Sequence, residues 1–317
     1  VLLPYYYLKL IIEYLKKGVN HDFLFVGWPG NYYVPLAKFI SILMRTPLIF
    51  DAHMSQYDSI VEDRKVVRKN SMKAMWLYLV DKIPCLLSDI VLLDTKTHME
   101  YFEKTFSIPK TKLDYLLVGV QDDVFYPREK NSGNTEFTIE FHGSYIPLQG
   151  IEYIIKAAKI LEEEDLKFQL IGRGQTYPEM RMLAEKLNLD NIEFIDCVDH
   201  EKLCEYIANA DLCLGIFGNT SKAKRVIPNK VYEALSMKKP LITSNTPASN
   251  ELLEDSVHCL FCEIADEKSL AEKIMKLKCD TKLRETIAEK GYSLSKKCFS
   301  QKYVGKQLLE IMYRFNH

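Results

Sequence analysis

Apolar and polar positions along this chain alternate between short strand-like runs and longer stretches with helical spacing. Phe23-Leu24-Phe25-Val26 reads as a buried strand, and residues 34–43 follow as a helix. Pro47-Leu48-Ile49-Phe50 is a second strand, running into Asp51-Ala52-His53. A long helical region over 66–87 precedes the strand Ile90-Val91-Leu92-Leu93, and a helix over 96–106 leads to a strand at 113–118. Polar residues 128–136, with Gly133 among them, read as a linker. The alternation then restarts, with strands at 137–141, 167–171, 192–195, 212–217 and 241–243. Helices are predicted at 151–163, 180–187 and 200–208 and from Pro228 onward. Strands alternating with helices imply a parallel sheet with helical cover, so the expected class is α/β. Two such halves joined near residue 130 predict a ligand between them, at the C-terminal ends of strands. The expected domains are 1–130, 131–298 and a closing amphipathic helix within 299–317 that packs back on the first half.

The segment richest in chemistry is Lys224-Arg225-Val226-Ile227-Pro228-Asn229-Lys230-Val231-Tyr232-Glu233. Pro228 suits a helix start, because the N–H it lacks is one that a first turn leaves unpaired. The helix N-terminus presents unpaired amides and a positive dipole end to an anion, and Arg225 and Lys230 add two cations. Glu233, one turn after Lys230, shares its helical face and can accept both hydroxyls of a ribose. Cations for a diphosphate beside a carboxylate for a sugar suggest a nucleotide-sugar site. A solvated Lys–Glu pair on a helix surface gives the same spacing.

Composition narrows the partners. A length of 317 residues accommodates two domains, and a formal net charge of -1 argues against nucleic acid. No apolar run reaches the roughly 18 residues that span a bilayer, and Val1-Leu2-Leu3-Pro4-Tyr5-Tyr6-Tyr7 lacks the flanks of a signal peptide. The chain begins with Val rather than Met, which hints that something upstream is missing. The eight cysteines are scattered through apolar and helical patterns, as expected of a reduced, cytoplasmic protein. Cys259-Leu260-Phe261-Cys262 has no second pair and reads as strand rather than as a metal or redox site.

Taken in order, these segments resemble the GT-B glycosyltransferases, in particular the retaining family 4. Asp51-Ala52-His53 resembles that family's strand-end histidine, and residues 117–127 resemble the turn closing its first domain. His142-Gly143-Ser144 with Gln149-Gly150, and Gly172-Arg173-Gly174, resemble its glycine loops. Pro228-Asn229-Lys230-Val231-Tyr232-Glu233 and Thr246-Pro247-Ala248-Ser249-Asn250-Glu251 complete the series. The resemblance implies two facing Rossmann-like domains with a cleft between them, the first apparently incomplete. It implies transfer of a sugar, with retention, from a UDP-, GDP- or ADP-sugar to a glycan or lipid-linked acceptor, with no metal and no resident cofactor. Glu233 would bind the donor ribose, and Ser249, Asn250 and Glu251 would lie near the sugar and diphosphate. Gly143, Ser144 and Arg173 would line the donor, and His53, beside Asp51, would orient or polarise the reacting sugar.

Two departures stand out. Many members carry Arg after the first loop glycine and Lys before the next, where this chain has Ser144 and Gln149; Arg225 also replaces the first of two glutamates. Arg225 and Lys230 are expected to restore the missing positive charge, so that reversing both to Glu costs more in turnover than in folding. The family's opening strand and glycine-rich loop are not found, which fits a truncated chain or a degenerate relative. His142 reads as structural. Residues 64–78 mix cations with aromatics, either as a helix on an anionic membrane at the cytoplasmic face or as a solvated face. The competing functions are a catalytically silent sugar-nucleotide binder or scaffold and a sugar-nucleotide epimerase.

Overall fold

A computed structural model of the chain describes residues 3–17, 21–130 and 136–314. Val1, Leu2 and the middle of the expected linker, Gly133 included, lie outside them. The chain divides into two compact units, Val1–Leu116 with Leu309–His317, and Leu117–Leu308.

The first unit runs α1 (Leu3–Lys17), β1 (Leu24–Val26), α2 (Val34–Met44), β2 (Leu48–Asp51), α3 (Met72–Leu87), β3 (Ile90–Leu93), α4 (Lys96–Phe106) and β4 (Leu113–Tyr115). Its sheet is parallel in the order β1-β2-β3-β4. The continuous apolar runs of β2 and β3 follow from burial on both faces of a parallel sheet. Phe50, Val91, Phe102 and Phe106 fill its core.

Two expectations need correction here. The helix expected over 66–87 begins only at Met72, because the Ser71 hydroxyl accepts from the Ala74 amide at 3.1 Å and caps it there. A separate π-helical turn occupies Asp58–Asp63. Helix α1 is an element the pattern did not predict, since Tyr5, Leu8, Leu10 and Ile12 are all exposed rather than gathered into one buried stripe.

The second unit runs β5 (Phe137–His142), α5 (Ile151–Ile160), β6 (Leu166–Ile171), α6 (Tyr177–Lys186), β7 (Ile192–Ile195), α7 (His200–Asn209), β8 (Leu212–Leu214), α8 (Asn229–Ser236), β9 (Leu241–Ser244), α9 (Pro247–Asn250), β10 (Leu260–Cys262), α10 (Glu267–Cys279) and α11 (Thr281–Cys298). Helix α12 (Gln301–Arg314) follows, and from Leu309 it belongs to the first unit, where Arg314 pairs with Asp114 of β4. The sheet order β10-β9-β8-β5-β6-β7 is wholly parallel. The chain winds outward from β5 to β7, then returns to β8 and winds the other way. The helices after β5 and β8 therefore diverge to opposite faces, leaving a crevice at the carboxyl ends of those two strands.

Strand β8 stops at Leu214, short of the expected 217: Gly215 N–H and Ile216 O still bond to β9, but the two residues after them turn to the loop that follows β5. Phe217 N–H donates to Gln149 O at 3.0 Å and Gly218 N–H to Leu148 O at 3.2 Å. Pro228 is extended (φ −74°, ψ 155°) and stands just outside α8, which starts at Asn229.

Candidate functional site

The crevice between β5 and β8 is built by a glycine loop and a helix start. Strand β5 ends at His142, and Gly143 follows with φ +147°, a conformation that side-chain-bearing residues rarely adopt. A Cβ at Gly143 would lie 2.8 Å from the Nζ of Lys230, so the missing side chain is what lets that amine reach the loop. Helix α8 buries Val231, Tyr232, Ala234 and Leu235 in the core. Lys230 is buried as well. Its Nζ donates to Gln149 Oε1 at 2.6 Å and sits 3.6 Å from the centre of the Phe141 ring. Burial pulls the Lys230 amine down to about 7, against the opposing pull of Glu140 and Glu233.

One turn along α8, Glu233 Oε2 lies 2.7 Å from His142 Nε2, and His142 Nδ1 lies 2.7 Å from Glu140 Oε1. Glu140 and His142 are two apart on β5 and so share one face of the strand. Burial lowers the His142 pKa, but Glu140 and then Glu233 more than offset this and raise it to about 9. The ring is therefore an imidazolium at neutral pH, and both N–H groups donate to carboxylates. Beside Glu233 opens a cavity of about 500 Å³, lined among others by Gln121, His200, Asn229 and Gln301. That is room for a nucleoside. A larger groove of about 710 Å³, between α1, β1 and α2, is lined mostly by apolar and aromatic side chains.

The sequence-derived residues fall into distinct places. Gly143, Lys230 and Glu233 come together at the crevice. Ser144 is exposed on the edge of the same loop. Arg225 is half-buried in a turn closed by its N–H to Lys222 O at 2.9 Å, and Lys224 O in that turn accepts from Ala248 N–H at 3.2 Å. This ties the Arg225 turn to α9. There Ser249 Oγ meets Thr246 Oγ1 at 2.8 Å, and the Asn250 amide donates to Asn245 Oδ1 and Thr246 O. Both side chains thus brace their own turn, while Glu251 is exposed at its end. Arg173, on the loop after β6, forms a two-pronged ion pair with Asp196, with one contact at 2.8 Å, and stacks over Tyr177 at 4.4 Å.

His53 and Asp51 belong to the first unit. Asp51 ends β2, and burial followed by Asp94 raises its carboxyl against the pull of His53. His53 holds a left-handed backbone (φ +37°) with its ring 6.2 Å from Trp28. Arg45 and Ser107 occupy the same region as ordinary helix C-caps, so the backbone by itself assigns His53 no role.

Sequence reasoning missed Glu140, and it took His142 for a purely structural residue and Gln149 for a lost cation. A charged residue inside the otherwise apolar run Phe137-Thr138-Ile139-Glu140-Phe141 was the available signal.

A parallel doubly wound unit with a glycine loop and a helix start at its switch point is Rossmann-like in architecture. The family model described as glycosyl transferases group 1 matches residues 123–294, more than half of the chain. The chain belongs to that family, and its fold is GT-B. It is 24% identical over 239 residues to an uncharacterized glycosyltransferase of Methanocaldococcus jannaschii, covering 75% of this chain and 63% of the relative. It is also 21% identical over 292 residues to the alpha-D-kanosaminyltransferase of Streptomyces kanamyceticus, covering 86% and 72%. Among solved structures it is similar to HepE of Anabaena in complex with UDP, with a TM-score of 0.75 and 14% identity over 96% of this chain and 82% of that one. Among the described residues no helix is long and apolar enough to cross a membrane.

Proposed function

We propose that the chain is a retaining glycosyltransferase that moves a sugar from a nucleoside-diphosphate sugar to a glycan or lipid-linked acceptor. One observation carries the reading: a buried lysine amine, Lys230, held at the mouth of a glycine loop beside the start of α8. A diphosphate there meets the amine, the N-terminal amides of α8 and the nearby turn bearing Arg225, which together neutralise the charge that builds on the leaving group. Glu233 takes the ribose, with the adjoining cavity for the base. The α9 turn, with Ser249, Asn250 and Glu251, and the Gly172–Gly174 loop with Arg173 are assigned to the sugar and diphosphate. His53 is assigned to the reacting sugar, an assignment supported by the family resemblance. The reading requires no resident cofactor, because the protein's own cations serve the phosphates. HepE is solved with UDP and with UDP-glucose, which makes uridine the first base to try.

Gln149, standing where many members have Lys, favours a silent binder. Against this, its side chain carries Lys230 into the same loop. A panel of UDP-, GDP- and ADP-sugars separates the readings. Nucleotide release is the expected result. Binding without release would identify the silent form, and an altered sugar on the nucleotide would identify an epimerase.

We further propose that the first unit touches an anionic membrane at the cytoplasmic face. Met72 is 91% exposed, Trp76 57% and Met75 60%, and Lys65, Arg68, Lys69 and Lys73 are exposed around them. Apolar side chains ringed by cations suit the headgroup boundary of an anionic bilayer.

A further inference from the structure

We infer that His142 is a positioning residue for the donor: anchored by Glu140, it fixes the Glu233 carboxylate in the orientation that receives a ribose diol. The inference rests on Glu233 as the ribose ligand and adds the device that makes it one.

Glu233 sits on α8, whereas His142 and Glu140 sit on β5, 91 and 93 positions earlier. Strand β5 lies inside the sheet, bonded to β6 on one side and β8 on the other. Glu140 lies in register with Gln169 of β6 and Cys213 of β8, and is fully buried. His142 lies in register with Ile171. The chain of contacts thus runs from the middle of the sheet, through two 2.7 Å hydrogen bonds, to a carboxylate oxygen at the crevice.

The chemistry of the link matters as much as its geometry. A ribose presents two adjacent hydroxyl donors, so its ligand must offer acceptor oxygens in a plane that does not rotate. His142 Nε2, 2.7 Å from Oε2 of Glu233, fixes that plane. Among the described residues Oε1 of Glu233 has no hydrogen-bond partner, and Oε2 keeps a second acceptor direction. Both hydroxyls therefore have a place. The groups facing the ring are Glu140 from its own strand and Glu233 from α8, with Lys230 one turn away on the same helix. His142 stands between the carboxyl groups of Glu140 and Glu233, so removing it takes away the hydrogen-bonding group that separates them.

The test is a ligand cycle by calorimetry. Wild type, His142→Gln and Glu140→Gln are titrated with UDP, GDP and ADP and with their 2′,3′-dideoxy counterparts. Wild type should prefer a ribonucleotide over its dideoxy form by about tenfold to a hundredfold, the range of hydrogen bonds to a charged group. His142→Gln should bring that ratio to within about threefold while leaving affinity for the dideoxy form nearly unchanged, and Glu140→Gln should move it the same way. A merely structural histidine would weaken both ligands together and leave the ratio intact, which would overturn the inference. If a variant fails to fold, the other carries the cycle, and if both fail, His142→Asn and Glu140→Asp replace them. Absence of any ribose preference in wild type would instead reject Glu233 as the ribose ligand, and the inference with it.

Discussion

At the scale of single residues, Lys230 concentrates the chemistry. Its amine is buried, leans on the Phe141 ring and bonds to Gln149, so it is held in one place at the proposed donor site. Lys230→Met keeps the aliphatic stem and should retain the fold while weakening nucleoside-diphosphate binding by about tenfold to a hundredfold in calorimetry. Reversal to Glu is a poorer test than the sequence suggested. It would place a third carboxylate beside Glu140 and Glu233 and cost folding as well as turnover, a correction that follows directly from the burial of this site. The pH dependence has a definite sign. The free amine, lowered to about 7, carries its proton below that pH and gives it up above. Affinity for a diphosphate should therefore fall in wild type between pH 7 and 8.5, through the window set by that value. In Lys230→Met the fall should be smaller, since only the ligand and the onset of the His142 titration at about 9 then contribute, and an equal fall in both proteins would show that Lys230 is not the group involved. Lys230 and Glu233 were legible because they are local to one helix start. Glu140 and His142 were not, because their meaning lies in contacts between β5 and α8.

At the scale of elements, the strands were easiest to read. A parallel sheet buries both faces, so β2, β3 and β9 open as apolar runs whatever their neighbours do, while β5 is broken by Thr138 and Glu140 yet still buried. Helix boundaries depended on particular side chains. Ser71 delays α3, and Pro228 stays outside α8. The end of β8 was read too far because Gly215 and Ile216 still bond to β9, while Phe217 and Gly218 turn to the loop after β5. Gly150 marks that meeting point, with φ +65° and an imaginary Cβ 2.3 Å from Gly218 N and 2.4 Å from Phe217 C. Gly150→Ala should lower stability by at least about 2 kcal/mol in urea denaturation, since backbone rather than a flexible side chain must move. Gly305→Ala is the control. That glycine lies within α12 with nothing within 4 Å of its Cβ position, and the change should be neutral or stabilise by up to about 1 kcal/mol. Equal losses at the two sites would contradict the close approach at Gly150.

At the scale of the whole molecule, two parallel α/β units and a family match confined to the second explain where the chemistry is most legible. Phosphate and ribose recognition leave short signatures in loops and helix starts. Acceptor recognition leaves none that composition or spacing reveals here. The first unit offers instead a surface, and Met72→Ser with Trp76→Ser should abolish co-sedimentation with phosphatidylserine-containing vesicles while leaving nucleotide binding unchanged. Binding that is lost at low salt with neutral vesicles and kept with anionic ones fits the reading; capture by neither would dismiss it. The most direct test of the donor site is isothermal calorimetry of UDP, GDP and ADP against wild type and Lys230→Met. The expected result is heat with at least one of the three in wild type and a loss of affinity of tenfold or more in the variant. No heat with any of them, or equal affinity in both proteins, would contradict a diphosphate seat at Lys230.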